Sequence, residues 1–326
     1  MLSGVVLSLS YWRRRNLDTL TGLAWRRPLR LGIPIFFSTI FIYEMLLGGL
    51  MCNLEAGKIP SPSNGWILSF YRFSPSLSDA LTSVIGALGW NNTQYNGVLW
   101  TITPEILGSY LVIILLLAQH SATAARNIVI ASRGKSWRWR VRLATLFIGL
   151  FALLLLEKSP LMAAFVLGLF IAKFWVKASA ATLAKIRQNR WAQIGIPLTV
   201  LAICGMRINE AGLVLLAALI VFAAVSVGRF NRFLQSRFSV WLGKISFPLY
   251  LVHLPLICSF QSYLLLVYPE YQTEWTVKAA IGAATALLSF LAAVLFLPIE
   301  KFSIAAARKF SDYVLGKNKE PLRITN

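Results

Sequence analysis

Long apolar windows separated by short basic clusters are the main pattern of this sequence. A helix needs about 20 mostly apolar residues to cross a bilayer, so each long window predicts a membrane-crossing helix. Residues 1–10 are apolar but too short to cross, and they predict the last turns of a helix. The eight windows that predict crossings are residues 31–51, 96–118, 141–156, 160–176, 193–206, 212–227, 243–267 and 276–298.

The pattern therefore predicts an all-α fold: a polytopic transmembrane helical bundle with about eight complete transmembrane helices and an N-terminal helix stub. Composition agrees, because 57% of the 326 residues are hydrophobic and only 13% are charged. With a mean hydropathy of +0.66, this is not the composition of a soluble domain. The three cysteines are far apart and show no metal-ligand spacing, so no metal site is predicted.

The 32 basic residues against 12 acidic residues give a formal charge of +20. Nucleic-acid binding explains this charge less well than membrane topology, because the basic residues fall in clusters between the windows. If residues 11–30 are cytoplasmic and every window crosses, 27 of the 32 basic residues lie on the cytoplasmic side. The five basic residues on the opposite side are Lys58, Arg72, Lys158, Arg207 and Lys278. Without a crossing at 193–206, the basic residues after it would change sides, so this asymmetry supports counting the short window as a crossing. It also predicts that both chain ends are cytoplasmic, in an endomembrane or plasma membrane.

Residues 52–95 form a long segment on the non-cytoplasmic side of this topology. The segment is rich in Pro, Ser, Gly and Asn, and includes Pro75 and Trp66. Long connections of this kind are often functional. The segment is predicted to be a lid or cap rather than a domain.

His253 places an ionisable imidazole inside window 243–267. Ionisable groups in membrane helices usually mark functional sites. Pro248 and Pro255 flank it, and each proline leaves helix carbonyls that other groups must satisfy. The pattern predicts a broken helix lining a polar cavity. The alternative is a histidine packed against another helix through one hydrogen bond.

Two acidic residues also lie inside windows. Glu105 follows Thr103 and Pro104, which favour a helix start with Thr103 as the cap. Glu105 is therefore either a catalytic or positioning group, or an acid that stabilises the helix N-terminus through the helix dipole. Glu44 lies in window 31–51, where an acid needs a partner or water.

The densest basic segment is residues 11–30, which contains Arg26, Arg27 and Arg30. These arginines are either a topology signal that contacts anionic lipid, or a site for a phosphorylated cofactor. Arginine suits the second role because its planar fork matches phosphate oxygens in pairs.

Four stretches, in this order, resemble the acyltransferase type 3 family of integral membrane O-acyltransferases. They are RPLRLGIP at residues 27–34, NGVLWTITPE at 96–105, ISFPLYLVHLPL at 245–256 and PIEK at 298–301. The resemblance covers essentially the whole chain. It implies transfer of an acyl group from acyl-CoA, taken from the cytoplasmic side, to a hydroxyl of a sugar, lipid or small natural product.

In that family setting, acyl-CoA is a donor substrate and no cofactor is bound permanently. The implied partners are the bilayer, acyl-CoA and a hydroxyl-bearing acceptor, and nucleic acid is not among them. The catalytic candidates are His253 and Glu105. The candidates for holding the donor phosphates are Arg26, Arg27 and Arg30. The candidates for the substrate cavity are Trp100, Tyr250 and Glu44.

The sequence departs from the family at its start. Family members begin with a helix that carries an arginine and a histidine regarded as catalytic, whereas residues 1–4 resemble the end of their second helix. We therefore expect residues 1–300 to be a membrane domain without its first helix and most of its second. Residues 301–326 are expected to be a basic cytoplasmic tail. The departure favours a supporting role for His253 in orienting the substrate, and the alternative is that His253 serves alone as the base. It also leaves open a truncated gene model or a degenerate paralogue.

A non-catalytic transporter or scaffold with the same fold is the alternative function. The acids inside windows, the proline-flanked histidine and the absent family histidine all support it.

Overall fold

The structure is a computed structural model that describes residues 1–59, 65–90, 92–130, 159–178, 209–226 and 228–316. Within these ranges all regular elements are helical. The α-helices, numbered in chain order, are α1 (Leu2–Arg14), α2 (Leu17–Leu47), α3 (Asn53–Ala56), α4 (Leu77–Gly89), α5 (Ile102–Ile130), α6 (Pro160–Lys177), α7 (Glu210–Ser226), α8 (Gly228–Leu234), α9 (Arg237–Leu256), α10 (Ser262–Val267) and α11 (Trp275–Val314). Short 3₁₀ helices occupy Gly65–Ser69, Gly97–Thr101 and Pro269–Gln272, and a π-helical turn occupies Ile257–Gln261.

Within the described ranges, five helical stretches are long and apolar enough to cross a membrane. They are Leu17–Leu47, Gly97–Ser121, Pro160–Lys177, Arg237–Val267 and Trp275–Val314. The predicted all-α class with several spans is confirmed for the described residues. The count of eight is not confirmed: window 212–227 falls in α7, whose apolar part is shorter than a span, and windows 141–156 and 193–206 lie outside the described residues.

Two helices extend beyond their predicted bounds. The α2 helix begins at Leu17 and not at residue 31, so the arginine cluster is helical. It ends at Leu47, close to Gly49, whose left-handed φ of 64° suits a chain leaving a helix. The α11 helix continues to Val314, past the predicted domain boundary at residue 300. Residues 301–314, predicted as tail, therefore extend the last helix, and residues 317–326 lie outside the described ranges.

The chain divides into two compact units. The first comprises Met1–Ala24, Pro104–Ser239 and Leu315–Asn326, and the second comprises Trp25–Thr103 and Val240–Val314. Each unit is described by itself below.

In the first unit, α1 packs closely against α6 through two glycines. A Cβ on Gly4 would lie 2.4 Å from the carbonyl oxygen of Phe165, and one on Gly168 would lie 2.6 Å from the carbonyl oxygen of Met1. Small residues allow this backbone approach between apolar helices. Around it lies a buried core of Leu7, Tyr11, Leu20, Val112, Ile113, Leu116, Phe165 and Leu169.

In the second unit, α4 lies alongside α2. A Cβ on Gly32 of α2 would contact Leu88 Cδ1 of α4 at 3.4 Å. Ser76 caps α4, and the hydroxyl of Tyr95 donates to the carbonyl of Ser76 at 2.8 Å. The segment 52–95, predicted as a lid or cap, thus contributes a helix to the packed core of this unit.

Candidate active site

His253 lies on α9, which runs through Pro248 and Pro255 as a continuous helix. The predicted break is wrong: the helix instead widens into the π-helical turn Ile257–Gln261, directly after Leu256. Such single π turns are frequent at functional sites.

The two ring nitrogens of His253 differ in their contacts with the described residues. Its Nδ1 lies 3.1 Å from the carbonyl oxygen of Leu249, one helical turn earlier. A carbonyl only accepts, so Nδ1 carries a proton, and in the neutral ring Nε2 is then a hydrogen-bond acceptor. Nε2 makes no hydrogen bond to another described residue.

A cavity of about 660 Å³ lies beside His253, between α9 with its π turn and α11. Most of its wall is apolar. The lining residues are Leu242, Ser246, Leu249, Tyr250, His253, Ile257, Gln261, Gly282, Thr285, Ala286, Ser289 and Phe290. Three lining hydroxyls are already used within their own helices, because Ser246, Thr285 and Ser289 donate to carbonyls three or four residues earlier.

Tyr250 connects the cavity wall to the 3₁₀ helix Gly97–Thr101. Its ring centroid lies 6.1 Å from that of His253. Its hydroxyl donates to the carbonyl of Val98 and therefore accepts from the hydroxyl of Thr101, 2.6 Å away. The predicted cavity residue Tyr250 thus lines the cavity and holds the 3₁₀ helix Gly97–Thr101 in place by hydrogen bonds.

Asn96 fastens the same 3₁₀ helix to α9. Its side-chain amide donates to the carbonyl of Leu251 at 3.0 Å, and its side-chain oxygen accepts from the backbone N–H of Val98. Pro255 has no N–H, so the carbonyl of Leu251 lacks its usual helical donor. Asn96, which sequence reasoning missed, supplies the replacement.

Gly97 permits the close approach of the two stretches. A Cβ there would lie 2.4 Å from the ring of Phe70 and 3.2 Å from Leu254 Cδ2. Thr103, predicted as a helix cap, has another role, because its hydroxyl donates to the carbonyl of Ala87 in α4 at 2.9 Å. Asn96 provides a side-chain cap at the start of the preceding 3₁₀ helix, and the role of Thr103 as a cap stays a prediction.

Residues of α9 and of the π turn pack into a cluster with tyrosines. Leu254 and Cys258 lie with Tyr71 and Tyr95 in a buried apolar cluster. Burial raises the pKa of Tyr71 well above its ordinary value and also raises the pKa of Tyr95. Both phenols therefore stay neutral and act as packing groups for this part of α9.

Two predicted cavity residues lie elsewhere in the second unit. Trp100 is 54% exposed on the 3₁₀ helix, and Glu44 is exposed near the end of α2. Neither lines the cavity beside His253. Their proposed role in substrate binding stays a prediction.

Glu105 belongs to the first unit, whereas His253 belongs to the second. It lies in the first turn of α5, and its carboxylate accepts a hydrogen bond from Ser3 of α1 at 2.6 Å. This placement agrees with an acid that stabilises a helix start. A catalytic role for Glu105 stays a prediction.

The predicted phosphate-binding arginines lie on α2 facing acids of α11. Arg26 pairs with Asp312 at 3.2 Å, and Arg30 interacts electrostatically with Glu300. Arg27 lies between them in sequence and is partly buried. Sequence reasoning missed both acidic partners, because Asp312 lies far along the chain from Arg26.

Comparison with known families decides the fold family. A family model described as an acyltransferase domain, that of the type 3 acyltransferases, matches residues 1–294. The chain belongs to the type 3 acyltransferase family. Neither the curated proteins nor the solved structures gave a significant match.

Membership and the five candidate spans make this protein an integral membrane protein of an acyltransferase family. The matched range includes the residues that line the cavity beside His253. It also includes the 3₁₀ helix Gly97–Thr101, which is hydrogen-bonded to α9. Asp312, which pairs with Arg26, and Glu300, which interacts electrostatically with Arg30, lie beyond residue 294.

Proposed function

We propose that this protein is an O-acyltransferase that moves an acyl group from acyl-CoA to a hydroxyl of a sugar, lipid or small natural product. The reaction takes place in the cavity beside His253. The observation that carries this proposal is the Nε2 of His253, which has no hydrogen-bond partner among the described residues and lies in a wall that is otherwise mostly apolar.

The chemistry needs a group that accepts from the attacking hydroxyl. In our proposal, Nε2 of His253 accepts the hydrogen bond of the acceptor hydroxyl and takes its proton as the new C–O bond forms. The C–S bond of the thioester breaks, and the proton passes to the departing sulfur. The bond from Nδ1 to Leu249 supports this role, because it holds the imidazole in the tautomer that accepts at Nε2.

The cavity suits an acyl chain in size and lining. Ligand cavities typically measure about 300–1,000 Å³, and this one measures about 660 Å³. Leu249, Ile257 and Phe290 supply apolar contact surface. Gln261 supplies an amide that can donate to a carbonyl or hydroxyl of the substrate.

The donor phosphates, in this proposal, bind at Arg27 and Arg30. Arg26 helps to hold α2 against α11 through Asp312. This contact places the basic start of α2 and the basic end of α11 on the same side of the second unit. It supports the predicted cytoplasmic location of both, where the donor is expected.

The test supplies radiolabelled acyl-CoA to the purified protein in vesicles, with separate pools of sugars, lipids and small hydroxylated compounds as acceptors. The proposal expects label in esters of one pool that alkali releases. Label in none of the pools, with donor still bound, would favour the non-catalytic alternative.

A further inference from the structure

A second group of cations lies in the first unit, around Trp12 at the end of α1. The guanidinium carbon of Arg15 lies 5.8 Å from the Trp12 ring centroid, and Nζ of Lys173 on α6 lies 5.5 Å from it. Lys177 is the next charge along α6 and acts electrostatically on Lys173. We call Trp12, Arg15, Lys173 and Lys177 the Trp12 cluster.

The positive charge of the Trp12 cluster is not balanced by acids in the part of the chain that the structure describes. Arg15, Lys173 and Lys177 make no ion pair with a described residue. This differs from the α2 arginines, where Asp312 pairs with Arg26. The Trp12 cluster is therefore a second candidate site for an external anion, separate from Arg27 and Arg30.

The indole of Trp12 adds an unused hydrogen-bond donor. Its Nε1 is buried and has no hydrogen-bond partner among the described residues. A buried donor without a partner is costly, and a bound acceptor would relieve that cost. Indole N–H can only donate, so the missing partner is an acceptor such as a phosphate oxygen.

The neighbouring contacts hold the Trp12 cluster in place. The hydroxyl of Tyr11 lies 3.0 Å from Nδ1 of His120 and so joins α1 to α5. Arg15 caps the C-terminus of α1 with a left-handed φ of 49°, and its backbone N–H donates to the carbonyl of Tyr11. The cations are thus attached to packed helices and not to a free loop.

We propose that the Trp12 cluster binds a phosphate group. Arg15 and Lys173 neutralise the charge, and the indole N–H of Trp12 donates to a phosphate oxygen. Arginine and lysine both bind phosphate, and basic pockets between membrane helices bind anionic lipid headgroups. The same chemistry fits two sources: the headgroup of an anionic membrane lipid, and the nucleotide phosphates of a coenzyme A thioester.

The test compares three forms of the protein in neutral detergent: wild type, Arg15→Gln/Lys173→Gln, and the control Arg308→Gln/Lys309→Gln. The control removes the same charges from exposed positions on α11. Affinity is measured for short-chain phosphatidic acid, short-chain phosphatidylcholine and adenosine 3′,5′-bisphosphate, which is the nucleotide end of coenzyme A. Thermal unfolding without ligand checks that each variant folds.

We expect Arg15→Gln/Lys173→Gln to lose about tenfold in affinity for one phosphate ligand, while the control keeps it. Loss for phosphatidic acid alone identifies the lipid source, and loss for the bisphosphate alone identifies the donor source. A loss of affinity for the bisphosphate concerns the acyl donor and so rests on the proposed function. A loss of affinity for phosphatidic acid is independent of whether the protein transfers acyl groups. Equal affinity in all three forms, or equal loss in both double variants, would overturn the proposal.

Trp12→Phe provides a second test that keeps the aromatic ring and removes only the N–H. We expect it to weaken binding of the same ligand by less than the double variant does. If the double variant does not fold, this variant decides the question. Unchanged affinity in Trp12→Phe would then count against the site.

Discussion

The side-chain amide of Asn96 takes the place of the backbone N–H that Pro255 lacks, by donating to the carbonyl of Leu251 at 3.0 Å. This bond joins two of the four sequence stretches that resemble the family, residues 96–105 and 245–256. It also lies two residues before His253. The position of the cavity wall therefore depends on a polar contact between distant parts of the chain.

Changing Asn96 to Ala should leave the carbonyl of Leu251 without a donor. We expect the free energy of unfolding to fall by roughly 1–3 kcal/mol, the cost of an unsatisfied buried polar group. Thermal unfolding in detergent measures this loss. Gln94→Ala, at an exposed position nearby, is the control and should change little.

The effect of Asn96→Ala should depend on Pro255. In a Pro255→Ala background the backbone N–H of residue 255 can bond to Leu251, so Asn96→Ala should then cost less. The same loss in both backgrounds would show that the proline does not create the need for Asn96.

Tyr250→Phe removes the hydroxyl that donates to Val98 and accepts from Thr101. We expect a stability loss of about 1 kcal/mol and slower acyl transfer, because the 3₁₀ helix loses a contact with the cavity wall. Tyr263→Phe, at an exposed tyrosine of α10, provides the matched control. Equal transfer rates in the two variants would contradict a role for the Tyr250 hydroxyl in acyl transfer.

Arg27→Gln/Arg30→Gln tests the proposed donor site. Donor affinity should fall, and the difference from wild type should shrink at high salt because salt screens the charges of the wild-type site. Asp312→Asn is the opposite control: it frees Arg26 from its acidic partner and should not weaken donor binding. If donor affinity stays the same while membrane orientation changes, the arginines are only a topology signal.

The thiol of Cys52, just after α2, can be labelled to measure the electrostatic environment of this segment. Burial, and then the charge of Glu55, raise the pKa of its thiol. A raised pKa means less thiolate at neutral pH, so maleimide labelling of Cys52 should be slow at pH 7 and faster as pH rises. Glu55→Gln should lower the pKa and speed labelling at pH 7, whereas Glu270→Gln should not. Identical labelling rates for both variants would contradict this electrostatic account.

The membrane-crossing helices were predicted well because the length of an apolar window is visible in the sequence. The windows that overlap α2, α5, α6, α9 and α11 each hold enough apolar residues to cross a membrane, and helices form there. Helix ends were predicted less well, because the arginines near Pro28 lie in a helix that packs against distant acids. Such contacts depend on tertiary structure, which a window of hydropathy does not contain.

The candidate site was predicted in part. His253 and Tyr250 line one cavity, as the apolar run and the family resemblance suggested. Trp100 and Glu44 do not line it, since neighbourhood in sequence does not fix the direction of a side chain. Asn96 was missed although Pro255 gave a signal: a proline inside a helix predicts a free carbonyl at residue 251 and hence a donor elsewhere.

The rate of acyl transfer by His253→Ala, at saturating donor, tests the central claim most directly. His120→Ala makes the same change at a histidine of the first unit and is the control. A positioned base contributes roughly 10²–10⁴-fold, so His253→Ala should slow transfer by about a hundredfold or more, with donor affinity kept and His120→Ala near the wild-type rate. A His253→Ala protein that transfers acyl groups at the wild-type rate would contradict the claim that the cavity beside His253 is the active site.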